Sequence, residues 1–563
     1  MDNKSISKIL QKAAKLLELH EANPFKVRSY QNAAFNIERI PVSIADSAPE
    51  EWQNIDGIGK NLNDKLASIL ENGSFKELNE LLEKTPEGIV EMLEVKGVGP
   101  KKIRVLWKDY DIQNKDDLLN AAKEGKLADW KGFGEKTQKA ILDNLLFAKE
   151  QSGKVYFAEA ENIAEIILEE LKPEVERIEL AGEAARLLDV VELLQFLVIA
   201  DYDQLLDKLE TMPGIELNFK TSGPFSLKGV LKEKELPVEF LFADKADFGN
   251  RLIYLNSDSD HFNKSNAEGQ SFGEFLNKSA FQEEKEVYDA FGAEWIPPEL
   301  REGMNEWELM KAGKLNALLQ DQDLKGTIHN HSTYSDGQNT LVEMAEAAKE
   351  MGLEYLGISD HSKSAFYANG LDESRIILQH KEIDELNKKM APFKIFKGIE
   401  SDILNDGSLD YSDDVLKSFD FIVASIHSGL SMDERKATAR LIKAIENPYT
   451  TFLGHPTGRL LLKRKGYPIN HKMVIDACAE NDVIIEINAN PWRLDLSWEW
   501  VAYALEKGLW LSINPDAHEI KGYRDMHYGV CVGRKGGLTK ERTFNTLSAK
   551  EVESYFSKKK SKA

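Results

Sequence analysis

The sequence predicts a multidomain chain that ends in a parallel βα barrel and begins with a helical third. Three observations lead there. At 563 residues the chain is too long for one hydrophobic core, so two to four domains are expected. From residue 326 onward, seven short apolar runs stop at a His, Asp or Glu: GTIHNHSTYSDG (326–337), YLGISDHS (355–362), IFKGIESD (395–402), FIVASIHSG (421–429), TFLGHPTG (451–458), VIIEINANP (483–491) and WLSINPDAHE (510–519). Near the other end, NIDGIGKNLNDKL (54–66), EVKGVGPKKIRVL (94–106) and DWKGFGEKTQKAI (129–141) repeat one pattern, a Gly-x-Gly turn followed by an amphipathic helix.

Each apolar run reads as a buried strand. Between the runs lie segments of helical spacing, such as LVEMAEAAKEMG (341–352) and HKMVIDACAEND (471–482). Alternating strands and helices imply a parallel sheet, and seven such units in one domain imply a barrel. All strands of such a barrel end on one face, where active sites are built. His329, His331, Asp336, His361, Glu400, His427, His455, Asp516 and His518 would therefore converge, bringing six of the chain's eleven histidines together with three carboxylates. Side chains two apart on a strand share a face, so His329 with His331 can chelate one ion together, and Asp516 with His518 can do the same if that segment is extended.

Nitrogen and oxygen donors without thiolate suit Zn²⁺ or Mn²⁺, and the set suffices for two or three divalent ions. Glu400 could bridge two of them. Hydrolysis of a phosphate ester is the chemistry such a cluster performs. Any one of these histidines could be an ordinary core residue, but nine competent ligands at successive strand ends argue against that for the set. His20, His261, His380, His471 and His527 lack this context.

HNHSTYSDG, SDHS, GIESD, SIHSG, GHPTGRL and NPDAHE resemble, in order, the motifs of the PHP (polymerase and histidinol phosphatase) family over about residues 320–555. The resemblance implies a distorted (βα)7 barrel with a metal-dependent phosphoesterase centre. It also implies that His329, His331, Glu400 and Asp516 hold one ion, that Glu400, His427 and His455 hold a second, and that Asp336, His361 and His518 hold a third. Arg459 and Arg493 fall just beyond strand ends, where they could meet substrate phosphates or remain solvated surface arginines; for Arg464 the surface reading is favoured.

Composition bounds the remaining possibilities. Hydrophobic residues make up 42% and charged residues 30%, ordinary for a soluble protein. No apolar run is long enough to span a membrane, and the polar amphipathic start MDNKSISKILQKAAKLL is not a signal peptide. Cys478 and Cys531 are the only cysteines, which excludes a disulfide framework and fits a reducing cytoplasm. A net charge of −23 excludes broad electrostatic binding of nucleic acid. Nothing in the composition points to a protein partner, and a monomer is expected.

The three Gly-x-Gly turns answer that charge problem. Glycines let the backbone turn tightly, leaving amide groups at the following helix start to bind a phosphate without reading bases. Gly57, Gly59 and Lys60, Gly97, Gly99, Lys101 and Lys102, and Gly132, Gly134 and Lys136 are the candidate DNA-binding residues, and the three copies resemble helix-hairpin-helix motifs. NPFKVRSYQNAAFNIERI (23–40) resembles the opening domain of X-family DNA polymerases, the relatives of DNA polymerase beta. Lys65 falls about a turn past the first Gly-x-Gly, where some members carry a Schiff-base lysine. No acidifying neighbour is readable, so a solvent-facing helix lysine is the plainer alternative.

The middle of the chain continues the X-family resemblance through RIELAGEAARLLDVVELLQFLVIA (177–200), PVEFLFADKADFGNRLIYLNSDSDHFN (237–263) and YDAFGAEWIPPELREG (288–303). The resemblance implies an α+β nucleotidyltransferase-like palm and thumb, and the whole order resembles bacterial PolX enzymes. The expected parts are residues 1–150, a DNA-binding region with helix-hairpin-helix motifs; 151–318, a palm and thumb; and 319–563, the PHP phosphoesterase. Counting from Gly182, the family's paired aspartates correspond to Leu193 and Gln195, while Glu239 corresponds to the third acid. Neutral side chains cannot hold two Mg²⁺ ions against phosphate, so a degenerate polymerase site is expected, with Mg²⁺ relevant only if that site is active. Asp201 and Asp203 also form an Asp-x-Asp pair, but they follow the strand and read as a helix start.

What the resemblance implies, and the leading expectation, is a metal-dependent 3′–5′ DNA exonuclease or 3′-end-processing phosphodiesterase of DNA repair, acting on gapped, nicked or 3′-ended duplexes. Gap-filling polymerase activity alongside the nuclease and a small-molecule phosphatase of the histidinol-phosphate kind are the alternatives. A non-catalytic DNA-binding scaffold is disfavoured by the complete ligand set.

Overall fold

The computed structural model describes residues 1–40, 43–52, 55 and 57–562. The chain forms two compact units, Met1–Ser152 and Gly153–Ala563.

The first unit is a set of short helices around one core. Helix Asn3–Leu19 is capped by Asp2, whose carboxylate accepts from the Ser5 amide, and it buries Ile6, Leu10, Ala13, Leu16 and Leu17 as one apolar stripe. Helix Pro24–Arg39 starts with Pro at its first turn and Asn23 as its cap. The three repeats share one geometry. The leading glycines, Gly57, Gly97 and Gly132, have φ of 83°, 85° and 88°, a left-handed turn that suits glycine. The second glycines, Gly59, Gly99 and Gly134, are the N-caps of helices Lys60–Asn72, Pro100–Tyr110 and Glu135–Glu150, and none has a side-chain cap.

The second unit begins with a five-stranded sheet in the order Arg177–Ala181, Leu194–Ile199, Leu236–Phe242, Ser226–Leu231, Ile215–Leu217. Only the second and third of these pair in parallel. Phe196, Val198, Val238 and Phe240 point to one face, into a core shared with helices Phe157–Leu171 and Tyr202–Thr211. Period-two alternation puts Gln195 and Glu239 on the other face. Around residues 253–318, a second core gathers Phe272, Tyr288, Phe291 and Trp307, with fully buried Arg301 forked onto Glu284 at 2.7 Å by both Nη atoms.

The barrel follows. Gly326–Thr327, Tyr355–Ile358, Lys394–Asp402, Phe421–Ser425, Phe452–Leu453, Ile484–Asn488 and Leu511–Asn514 form a seven-stranded sheet, every pair parallel. Past the first and last strands, Asn330 bridges Ala517 in parallel, and the Asn545 amide donates to the carbonyls of Gly326 and Ile513, so the cylinder is nearly closed. Aromatic side chains fill the interior at the strands' amino ends. There Phe556 of helix Ala549–Lys562 stacks on Phe421 at 5.3 Å and meets Phe396 and Phe452. Gly398 makes room for this plug, since a Cβ there would stand 2.0 Å from the Phe421 ring. One mouth is closed by hydrocarbon, so chemistry is confined to the other.

Candidate metal centre

The open mouth collects all nine side chains singled out from the sequence. Glu400 lies at its centre, on the longest strand. Its Oε1 faces Nε2 of His329, His427 and His455 at 3.3, 3.1 and 3.0 Å, and its Oε2 faces His361 Nδ1 at 2.9 Å and His331 Nε2 at 3.7 Å. Asp516 Oδ1 stands 3.0 Å from His331 Nε2 and 3.6 Å from His329 Nε2. Asp336 lies 3.6 Å from His361 and 3.4 Å from His518. Three overlapping groups have donor atoms within 4.8 Å of one another: His331, Asp336, His361 and His518; His329, His331 and Asp516; and His361, Glu400 and His427. Burial is graded, from His329 and His331 at 0% exposure to side-chain exposures of 31% for Asp336 and 35% for His518 at the rim.

The donors demand positive charge. Burial works to raise the carboxyl of Glu400, yet His427, His329 and His361 hold it well below its ordinary value; Asp516 is lowered in the same way by His329, His331 and His518. Burial works to lower the imidazoles, but Glu400 and Asp402 carry His427 up to about 10, and Asp336 and Asp516 carry His518 up to about 9. His331, with His518 and His361 beside it, is driven down to about 3, chiefly by burial. Buried nitrogens without a hydrogen bond include His329 Nε2 and His361 Nδ1, both despite a Glu400 oxygen within 3.3 Å. Lone pairs converging without hydrogen-bond geometry, drawn from imidazole and carboxylate alone, fit divalent cations.

Several residues that build the site were not singled out by sequence reasoning. Glu486 Oε2 holds His329 Nδ1 at 2.7 Å, while its Oε1 accepts from the His455 amide and the Asn488 side chain. Asp402 Oδ1 holds His427 Nδ1 at 2.5 Å. Such partners fix tautomer and ring orientation. Asp360 accepts from both the amides and the hydroxyls of Ser332 and Ser335, and from Gln379, thereby fixing the loop that carries Asp336. The signal was present in part: Asp402 follows Glu400, and Asn488 follows Glu486, at the two-residue spacing of one strand face. His455 and Asp516 have φ of 22° and 54°, non-glycine residues in the left-handed region, where strain collects at functional sites.

The two arginines diverge. Arg493 reaches the mouth, its Nε 3.8 Å from Asp516. Arg459, expected near phosphate, differs: its Nη2 donates to Asp189 at 2.7 Å and to the Leu494 carbonyl, and its Nε to the Arg493 carbonyl at 2.8 Å, tying the barrel to the middle region. Arg464 donates to the Gly458 carbonyl.

The palm face is built differently. Gln195 and Glu239 are register partners on adjacent parallel strands, and Gln195 Nε2 donates to Glu239 Oε2 at 2.9 Å. Lys228, the antiparallel partner on the other side, places Nζ 3.1 Å from Glu239 Oε1. Leu193 adds no donor. Glu183 accepts from the amides of Glu192 and Leu193 at 2.6 and 3.2 Å. Asp201 caps helix Tyr202–Thr211 through the Gln204 amide, which leaves Asp203 in its exposed first turn. These residues do not fit a pair of Mg²⁺ ions.

In the first unit, a Cβ built on Gly59, Gly99 or Gly134 meets nothing within 4 Å, so the helix starts are open to an approaching group. Lys101 and Lys136 are exposed, and Lys102 lies over the Phe133 ring at 5.4 Å. The side chain of Lys60 lies outside the described residues. The ammonium of Lys65 is held by Glu77 at 3.0 Å and by the Tyr30 hydroxyl.

Fold and site define a metal-binding barrel of the PHP kind joined to helix-hairpin-helix modules. The PHP domain model matches residues 327–490, a helix-hairpin-helix domain matches residues 1–75, and a SAM-like helix-hairpin-helix tandem matches residues 89–145. The chain is 34% identical to the DNA polymerase/3′-5′ exonuclease PolX of Bacillus subtilis (strain 168), over 99% of both chains. It therefore belongs to the PolX family. Over 42% of its length it is also 27% identical to a probable phosphatase of Thermoanaerobacter sp. (strain X514), of which it covers 95%. Among the described residues, no helix is long and apolar enough to cross a membrane.

Proposed function

We propose that the chain is a DNA-repair enzyme whose barrel is a metal-dependent 3′–5′ exonuclease or 3′-end-processing phosphodiesterase. The observation that carries this reading is Glu400, with five imidazole nitrogens turned onto its two oxygens at the single open mouth of the barrel. The PolX relationship over the full length supplies DNA as substrate class. The ligands we assign are His329, His331, Glu400 and Asp516 for one ion, Glu400, His427 and His455 for a second, and Asp336, His361 and His518 for a third, with Mn²⁺ or Zn²⁺ as the metal. When bound, such ions polarise phosphoryl oxygens and acidify water for in-line attack. The chain's own residues do the rest. Glu486 and Asp402 hold His329 and His427 in one tautomer, Asp360 positions the loop of Asp336, and Arg493 offers a cation to the phosphate from the rim.

DNA is held by the amide groups of the helix starts behind Gly59, Gly99 and Gly134, with Lys101, Lys102 and Lys136 nearby; this predicts little sequence preference. The parts act as residues 1–150 for DNA binding, 151–318 as a palm and thumb without nucleotidyl transfer, and 319–563 as the phosphodiesterase, in a cytoplasmic monomer. Lys65 serves as an ion-pair partner of Glu77 rather than as a lyase nucleophile. The test is a labelled primer-template and a gapped duplex incubated with Mn²⁺ or Zn²⁺, with and without deoxynucleotides. Shortening alone is the expected result, and lengthening would overturn the degenerate palm. The phosphatase relative favours a second reading, hydrolysis of small phosphate monoesters at the same cluster. Turnover of monoesters without any shortening of DNA would favour that reading.

A further inference from the structure

At the rim of the metal centre, the short turn Phe366–Ala368 combines a fixed backbone with exposed rings. Phe366 is 88% exposed and Tyr367 54% exposed. The Tyr367 ring centre is 6.2 Å from that of His361, which places it beside the mouth.

The backbone that displays these rings has little freedom. Amides of Ala365, Ala368, Gly370 and Leu371 donate to the carbonyls of Ser362, Ala365, Ala365 and His361 at 2.8–3.1 Å. Asp410 accepts from the Ser364 amide at 2.7 Å, and Arg375 donates to the Asn369 carbonyl at 2.7 Å. Gly370 is required, because a Cβ there would lie 1.8 Å from the Ser362 carbonyl oxygen. The Phe366 ring stays in water, where the benefit of burying it is lost. Two sequence-adjacent aromatic residues on a fixed turn, one of them against His361, are what a stacking surface needs: the backbone requires little ordering on binding and the rings tolerate any base.

We propose that Phe366 and Tyr367 form a preformed stacking platform for the terminal nucleobases of a single-stranded 3′ end, holding the last phosphodiester over the metal cluster. The inference rests on the exonuclease reading and deepens it. Charge complementarity selects the occupant, because Arg493 and bound cations attract the phosphate of the same nucleotide whose base the rings hold.

The experiment uses the full chain with Mn²⁺ and two single-stranded oligonucleotides, one natural and one with tetrahydrofuran abasic residues at its two 3′-terminal positions. Phe366→Ala and Tyr367→Ala are each expected to raise KM for the natural strand roughly 5- to 150-fold, with kcat changed less. Tyr367→Phe keeps the ring and is expected to retain the wild-type KM. On the abasic strand the wild type itself should show the raised KM, and the alanine variants should add little. Unchanged KM in both alanine variants, or an equal loss on both strands, would overturn the platform alone. A wild-type chain that shortens neither strand would overturn the exonuclease reading and the platform with it.

Discussion

Two strand carboxylates in this chain, Glu400 in the barrel and Glu239 in the palm, meet opposite fates. Both are buried, at 1% and 8% exposure. Around Glu400 the ion-pair partners are five imidazoles, and Arg493 at the mouth sits beside Asp516 instead. Around Glu239 the protein provides its own counter-charge: Lys228 takes one oxygen and Gln195 the other. The difference shows that an acid on a strand does not by itself make a metal site. What matters is whether neighbouring strands leave its charge unsatisfied, because a buried charge without a partner is costly and recruits one.

The largest effect is expected at Glu400. Glu400→Gln keeps the volume and removes the charge that gathers the imidazoles, so DNA shortening should fall on the order of 10³-fold and bound metal should drop by elemental analysis. If both persisted, the barrel and palm would not differ as argued. A smaller effect tests the supporting layer. Asp402→Asn leaves every assigned ligand in place but loosens His427, and a roughly 10- to 100-fold loss in metal affinity or activity is expected. Titration of Mn²⁺ by calorimetry separates this from misfolding, since the weakened variant should recover with excess metal.

The barrel half of this contrast was legible in the sequence because the nine gathered side chains lie at or just past the ends of apolar runs, and in a parallel barrel all such ends share a mouth. The Gly-x-Gly turns were legible for a local reason too, since only the leading glycine needs a positive φ. Glu486 and Asp402 were harder to see. Each sits inside or at the end of a strand whose inward face becomes defined only when the barrel closes. Lys228 was invisible because its role depends on the antiparallel register of Ser226–Leu231 against Leu236–Phe242. The ion pair of Arg459 was hidden for a similar reason: its partner Asp189 is 270 residues away, in the bend before Val190–Val191.

A third carboxylate extends the comparison to the first unit. Glu77 is closed like Glu239, by Lys26, Tyr30 and Lys65. Burial works to raise its carboxyl, but those three partners bring it down to about 2 from 4.5. A depressed folded value means the contribution to stability is fully present above about pH 4.5 and is lost as pH falls towards 2. Because the Glu77 side chain keeps 24% exposure and its partner Lys26 keeps 44%, solvent screening limits the contribution to about 1 kcal/mol. Glu77→Gln should therefore lower the melting temperature at pH 7, and the gap to wild type should shrink by pH 3. A gap that stayed constant with pH would mean that packing, not charge, holds this cluster.

The smallest effect belongs to the palm, and it sharpens the contrast most. Lys228→Met removes the resident cation and leaves Glu239 with only the Gln195 amide. The Lys228 side chain is 44% exposed, so the pair contributes under about 1 kcal/mol, and a shift of a few degrees at most is expected in thermal unfolding. Removing the lysine does not by itself make a metal site, because Leu193 and Gln195 supply no negative charge. Deoxynucleotide incorporation should stay absent, and DNA shortening should match wild type. If Lys228→Met alone gave Mg²⁺-dependent extension of a primer, Glu239 would be a dormant ligand held closed by one ammonium, and the palm would differ from the barrel in regulation rather than in chemistry.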